Sequence, residues 1–316
     1  MKKAFTFLFI AFFLFSCSPT KEKEKNTLPK NPFVIVLGIA QDAGYPQANC
    51  YKDCCKEIWN HPEKRKMVSC LALVDPISNE RWIFDCTPDF PKQLQMLDSF
   101  ALSKKEILTG IFLTHAHIGH YTGLMYLGRE SMNANNIKVY TMPEMDKFLQ
   151  NNGPWIQLIT LQNINLQTIK EDSVISLNER ISVTAFTVPH RDEFSETVGY
   201  RIKTKNKSLV FIPDIDKWKK WNRNVLDFVK ENDYLFLDGT FYKNGEIPGR
   251  NIDEISHPFI EESMKFFENL SEKEKQKIFF IHLNHTNPAL IENSAVQKEI
   301  YNAGFNLAKE YQVLEL

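Results

Sequence analysis

The 316-residue chain has no surplus of either charge: 38 Lys and Arg stand against 39 Asp and Glu, a formal net charge of −1. It also lacks any basic stripe interleaved with aromatics, so nothing in it supports nucleic acid as a partner. There is no GxxxxGK[ST] pattern: the glycines of "VLGIAQDAGYP" run into Pro46, so a turn is expected there rather than a loop cradling phosphates. No short repeat, low-complexity tract or internal linker interrupts residues 32 to 316, which points to one domain. What is present is an ordinary globular composition, 43% hydrophobic and 24% charged, sufficient to bury a sizeable core.

Long apolar runs are missing apart from the first residues, "MKKAFTFLFIAFFLFSC". Two lysines, an apolar run too short for a comfortable membrane span and a small residue before Cys17 read as a secretory signal over residues 1 to 16. "LFSC" resembles a bacterial lipobox, which implies cleavage before Cys17, acylation of its thiol, and an exported protein anchored to a membrane by lipid. Removal of residues 1 to 16 takes away Lys2 and Lys3 but no acid, leaving 36 basic against 39 acidic residues, a net −3. The polar run from residue 17 to 31 reads as a flexible tether, and the folded part is expected to begin at Pro32.

Strands are expected in "FVIVLG", "SCLALV", "RWIFD", "GIFLT", "IKVYTM", "ISVTAFTV", "TVGYRIKT", "SLVFIPD", "DYLFLDGT" and "KIFFIHL". Helices are expected after Pro91, after His120, in "PEMDKFLQNN", in "WNRNVLDFVKEN", in "PFIEESMKFFENL" and throughout "NSAVQKEIYNAGFNLAKEY". Strands outnumber helices and the helices interrupt them irregularly. Two mixed sheets packed together with helices on their outer faces, an α+β architecture, fit that pattern better than a doubly wound fold.

Three of the eight histidines, His115, His117 and His120, fall within "LTHAHIGH" at the end of an expected strand. Imidazoles two apart on extended backbone point the same way and can grip one ion, and burying three together without a metal or acid partner is costly. Further candidate ligands lie at other strand ends: His190 in "TVPHRDE", Asp214 in "LVFIPDID", His257 in "EISHPFI", and His282 and His285 in "FFIHLNHTNP". Of the eight histidines, only His61 has no place in this pattern.

"THAHIGH" followed by His190, Asp214 and His282, each after a strand, resembles the metallo-β-lactamase superfamily and its HxHxDH motif. Asp85 in "WIFDCTPDF" matches the acid that members carry on an earlier strand. "IVLGIAQDAGYPQANCYKDCC", "DCTPDF", "LFLDGT" and "IHLNHTNPALIENS" resemble the branch of pyrroloquinoline quinone (PQQ) biosynthesis protein B. A cyclic phosphodiesterase of phosphonate breakdown shares the cysteine-bearing segment. The resemblance implies an αββα sandwich in which His115, His117 and His190 hold a first metal, zinc or iron. His120 and His282 would hold a second, and Asp214 would bridge the two. His285 is an alternative ligand, and His257 is implied near the substrate as a proton donor or phosphate contact. Two ions roughly 3.5 to 4 Å apart share a hydroxide and clamp an ester or phosphate oxygen.

Gly119 departs from the motif, which carries an aspartate there. The sequence then leaves two outcomes open: a weakly held second ion in a site more positive by one unit and suited to an anionic substrate, or a single-ion centre. In related branches three cysteines hold a structural zinc. Here Cys50, Cys54 and Cys55 follow C-x3-C-C spacing, with His61, Cys70 or His285 as fourth ligand and disulfide pairing as the alternative. Cys70 and Cys86 read as small buried residues. The leading functional expectation is a lipid-anchored metallohydrolase acting through a metal-bound hydroxide on an ester or phosphodiester small molecule. The alternatives are an iron-dependent oxidative step like that of PQQ biosynthesis protein B, which an exported lipoprotein fits poorly, and a non-catalytic metal- or ligand-binding lipoprotein.

Overall fold

A computed structural model of the protein describes residues 28–100, 108–247 and 255–316. The leader, Cys17 and the tether up to residue 27 lie outside the described residues. Among the described residues, no helix is long and apolar enough to cross a membrane.

Strands β1 (Phe33–Gly38), β2 (Cys70–Asp75), β3 (Glu80–Phe84), β4 (Gly110–Phe112), β5 (Ile137–Thr141), β6 (Ile164–Thr168) and β14 (Val313–Glu315) form one mixed sheet in the order β14-β1-β2-β3-β4-β5-β6. The second contains β7 (Val174–Ser176), β8 (Ser182–Thr187), β9 (Val198–Lys203), β10 (Ser208–Ile212), β11 (Tyr234–Asp238), β12 (Ile278–Ile281) and β13 (Asn306–Leu307), running from β13 to β7 in reverse chain order. All ten expected strands form, each within a residue or two of its apolar run.

Period-two alternation explains how the sheets pack. Val34 and Val36 of β1 face the second sheet and join its Val183, Ala185, Tyr200 and Phe211 in one core, whereas Phe33, Ile35 and Leu37 point the other way. Between the sheets, Phe112 stacks on Phe84 at 4.9 Å and on Tyr140 at 4.3 Å, and Tyr200 meets Phe84 edge-on at 5.5 Å. The outer face of the first sheet is covered by α1 (Phe90–Ser99), α3 (Pro143–Asn151) and α4 (Trp155–Thr160) through Met96, Leu97, Met145, Leu149 and Trp155. On the second sheet Ala185 faces inward with its pair partner Tyr200, so Phe186 faces outward. There Phe228 of α5 (Val225–Glu231) packs on it with ring centroids 4.9 Å apart.

Two helical expectations are corrected. The segment after His120 forms only the short α2 (Ile118–Tyr121), followed by a 3-10 turn over Thr122–Leu127. The C-terminal helix α6 (Ala295–Asn302) stops at Asn302 rather than running to Tyr311, because Gly304 turns the chain at φ +90° and Asn306–Leu307 then pairs with β12 as β13.

Candidate metal centre

In the first sheet β1 and β3 both run antiparallel to β2, and β3 is parallel to β4. In the second β8 and β10 both run antiparallel to β9, and β10, β11 and β12 are mutually parallel. The ends of β1, β3, β4, β8, β10, β11 and β12 meet at the histidine cluster. Every expected ligand follows one of these ends: His115, His117 and His120 after β4, His190 after β8, Asp214 after β10 and His282 directly after β12. Asp85 and His282 take left-handed backbone, φ 69° and 65°, a conformation that costs a non-glycine residue of order 1–3 kcal/mol. The turn it creates directs both side chains back into the cleft.

Asp214 is buried at the middle. Its Oδ2 lies 3.5 Å from His115 Nε2, 3.7 Å from His120 Nε2 and 3.7 Å from His282 Nε2. Its Oδ1 lies 3.3 Å from His190 Nε2 and 3.1 Å from His257 Nδ1. Three ligand-competent groups share this carboxylate: His115, His117, His190 and Asp214; Asp42, His120, Asp214 and His282; and a smaller one of Asp214, Asp238 and His257.

Hydrogen bonding fixes which ring nitrogens face inward, because a carboxylate only accepts. Asp85 Oδ2 accepts from His120 Nδ1 at 2.7 Å, and its Oδ1 accepts from the amide and hydroxyl of Thr114. Thr114 Oγ1 in turn accepts from His115 Nδ1 at 3.0 Å. The same device recurs across the site. Asp238 Oδ1 accepts from Thr240 Oγ1 at 2.7 Å, and Thr240 Oγ1 accepts from His282 Nδ1 at 3.0 Å. His190 Nδ1 faces Asp216 at 3.3 Å, and His117 Nε2 faces Glu193 at 3.4 Å.

This leaves His115 Nε2 and His117 Nδ1 as facing lone pairs 2.8 Å apart. Asp42 Oδ1, His120 Nε2, His190 Nε2, Asp214 Oδ1 and His282 Nε2 are all buried without a hydrogen-bond partner. Unsatisfied acceptors converging on two points are expensive in a protein interior and are the arrangement that cations would satisfy, so the donor set fits metal. Burial, reinforced by His120, pushes the His115 pKa well below its usual value and keeps the ring neutral, as a ligand must be.

His257 is buried, with Nδ1 2.8 Å from Asp238 Oδ2. Burial opposes charge on the ring, but Asp238 and Asp214 outweigh it and carry the His257 pKa well above the usual value. The ring is thus held beside Asp214 with its basicity raised.

One expectation about Gly119 is overturned. The second group does not lose a carboxylate, because Asp42, from the loop after β1, places Oδ1 3.1 Å from His120 Nε2 and 3.8 Å from His282 Nε2. A Cβ on Gly119 would lie 2.4 Å from Asp42 Cα and 2.4 Å from Asp42 Oδ1. Glycine at 119 makes room for Asp42, and the extra positive charge inferred from the sequence vanishes. Asp42, Thr114, Asp238 and Thr240 were not identified from the sequence. The available signal was an acid just beyond a strand end in "GIAQDAGYP" and in "LFLDGT".

Cys50, Cys54, Cys55 and His285 form a separate group whose ligand atoms lie within 4.8 Å of one another. This removes His285 from the catalytic candidates and identifies it as the fourth member here. His61 instead pairs with Glu63 at 3.0 Å on the surface, and Cys70 is buried in β2 against the Asp85 carbonyl. Cys50, Cys54, Cys55, Cys70 and Cys86 are free thiols rather than disulfides.

Comparison with known proteins agrees with this architecture. Coenzyme PQQ synthesis protein B of Methylorubrum extorquens strain PA1 is 23% identical over 305 residues, covering 90% of this chain and 99% of that protein. The Gluconobacter oxydans protein of the same name is 25% identical over 312 residues, covering 90% and 98%. Among solved structures, zinc-bound PqqB from Methylobacterium extorquens superposes with a TM-score of 0.74 at 23% identity, covering 90% of this chain and all of that one. A diphosphatase of the PhnP family gives 0.63 at 20% identity, covering 90% and 97%. Residues 80–283 match the family described as the Beta-lactamase superfamily domain, a segment that contains the strand-end histidines and Asp214 but neither Asp42 nor the cysteine group. A match of that extent, on this sandwich, makes the protein a member of the β-lactamase superfamily.

Proposed function

We propose that the protein is a metal-dependent hydrolase of an ester or phosphodiester small molecule, with zinc as the metal. The observation that carries this reading is the pair of inward-facing ligand groups sharing Asp214, each with lone pairs that nothing in the protein satisfies. Metal held there would supply Lewis acidity and an acidified water near neutral pH. The protein's own residues do the rest. Asp85 and Asp238, through Thr114 and Thr240, fix the tautomers of His115, His120 and His282. His257 holds a proton beside Asp214 and is placed to deliver it to a leaving oxygen. Since Asp42 restores the missing charge, an anionic substrate is favoured by the two-point clamp on a phosphoryl group rather than by an excess of positive charge.

The test is hydrolysis of bis(p-nitrophenyl) phosphate by the zinc-loaded protein. Turnover that disappears in His117→Ala is expected. A zinc-loaded protein that leaves model esters and phosphodiesters intact, but consumes oxygen with Fe(II) and a PQQ precursor, would overturn the proposal in favour of the chemistry suggested by the PQQ-synthesis relatives. We also propose export and lipid anchoring through Cys17, read from "LFSC". Cys17→Ala should abolish acylation and leave the precursor at its uncleaved mass, and unchanged processing and acylation would refute the anchor.

A further inference from the structure

We propose that Asp42 is the carboxylate ligand of the second ion and that the Cys50/Cys54/Cys55/His285 group, by closing the same loop, sets the occupancy of that second site. The inference rests on the metal-centre reading above and extends it to residues outside the matched family segment.

The argument begins with connectivity. Both groups draw on the same two stretches of chain: Asp42 and the three cysteines lie on the loop after β1, and His282 and His285 lie three residues apart on the turn after β12. The two stretches are laced together between the sites. Gln41 N–H donates to the Leu283 carbonyl at 3.0 Å, and Leu283 N–H donates to the Ile39 carbonyl at 2.8 Å. Farther along, Tyr45 Oη donates to the Cys54 carbonyl at 2.9 Å, and Trp59 Nε1 donates to the Cys50 carbonyl at 2.7 Å. His285 Nδ1 faces Asn284 Oδ1 at 3.0 Å, so its Nε2 is the nitrogen available to the thiolates. An ion among Cys50, Cys54, Cys55 and His285 would therefore pin the loop to the turn a second time.

Asp42 is what makes this matter. Its Oδ1 meets only the ligand rings His120, at 3.1 Å, and His282, at 3.8 Å, so no donor outside the metal site holds that oxygen in place. Its position depends on the loop, which is anchored before it by Leu283 and after it by the Tyr45–Lys66 backbone bridge, and Tyr45 is in turn tied to the cysteine group through the Cys54 carbonyl. An aspartate at position 119 would be carried by the same short helix as His120 and would be indifferent to the cysteines. With glycine at 119 and the carboxylate on the loop, second-site affinity becomes conditional on metal at the cysteine group, a coupling between two sites. The first group, His115, His117 and His190, takes no ligand from either stretch and meets the second site only through the shared Asp214.

The experiment is zinc stoichiometry and competitive chelator titration on the full chain, with no turnover measured. Its outcome is therefore independent of whether the protein is a hydrolase. Wild type is expected to bind three ions. Cys54→Ser/Cys55→Ser should lose the cysteine-group ion and also weaken a second ion at least ten-fold, with a smaller effect on the third, which is linked to it only through Asp214. His285→Gln approaches the same group from the opposite stretch and should give the same pattern if the double-serine chain fails to fold. Asp42→Asn should weaken chiefly the second ion. The proposal is overturned if the cysteine or His285 variants lose one ion with the other two affinities unchanged, if wild type never exceeds two ions, or if Asp42→Asn binds like wild type.

Discussion

Gly119→Ala is the smallest change that tests why the motif carries a glycine, because two effects of opposite sign compete there. Position 119 lies inside α2, where alanine is intrinsically better than glycine by about 0.8–1 kcal/mol. Against this, the new methyl carbon would sit 2.4 Å from Asp42 Cα and Oδ1 and 3.0 Å from Asp42 Cβ, when carbon contacts are comfortable at about 3.5–4 Å. Relief needs a shift of roughly 1 Å, and the obstacle is backbone rather than the end of a flexible side chain. Overpacking of this kind costs about 1–3 kcal/mol, so steric cost outweighs propensity. The variant should melt about 2–4 °C lower for each net kcal/mol lost when stripped of metal. A further deficit should appear with zinc, because the displaced Asp42 no longer meets His120, and a ligand that binds the native state less tightly stabilises it less. Differential scanning calorimetry with and without zinc separates the two. A variant that melts at or above wild type in EDTA, with an undiminished zinc-dependent rise, would refute the steric argument and the role given to Asp42.

Asp85→Asn should lower zinc affinity at the His120 site by about 10–100-fold, the usual cost of removing an orienting partner of a ligand histidine, read by chelator competition. His257→Gln should reduce phosphodiester turnover by about 10²–10⁴-fold while zinc content stays at the wild-type level; a matching loss of zinc would make the residue a ligand instead. Glu310 provides a pH test remote from the metals. Burial raises its pKa from 4.5 to about 7 although it accepts from the Met67 amide at 2.6 Å. Both folded and unfolded states hold that proton well below pH 4.5. As pH rises toward 7 the unfolded state releases it first, so the fold loses stability over that window. Glu310→Gln should therefore melt higher than wild type at pH 8 and equally near pH 4, and an unchanged difference across that range would contradict the assignment.

What the sequence revealed follows burial. The ten strands anticipated from it are interior or well-covered ones, and the four it missed, β6, β7, β13 and β14, are the outermost strands of the two sheets. Edge strands bury one face at most and are short: "INLQT", "VIS", "NL" and "VLE" carry too few apolar residues to announce themselves. The C-terminal helix was overextended because "GFNLAKEY" keeps a helical spacing of apolar residues, while the turn at Gly304 and the open edge of β12 decide otherwise. At the site, histidines in a motif are legible because three imidazoles in six residues have few other uses. Asp42 was not, because its partner is a vacancy: only the Cβ that Gly119 lacks reveals why an acid from a distant loop reaches the same point. The choice of His285 over His61 and Cys70 likewise depends on a turn that brings residues 50 to 55 and 285 together, which spacing cannot encode.

The most direct test of the account is anomalous diffraction at the zinc edge from crystals of the zinc-loaded protein. It predicts three peaks: one among His115, His117 and His190, one among Asp42, His120 and His282, with Asp214 between them, and one within the Cys50/Cys54/Cys55/His285 group. A peak at the cysteine group alone, or a second catalytic peak out of contact with Asp42, would contradict it.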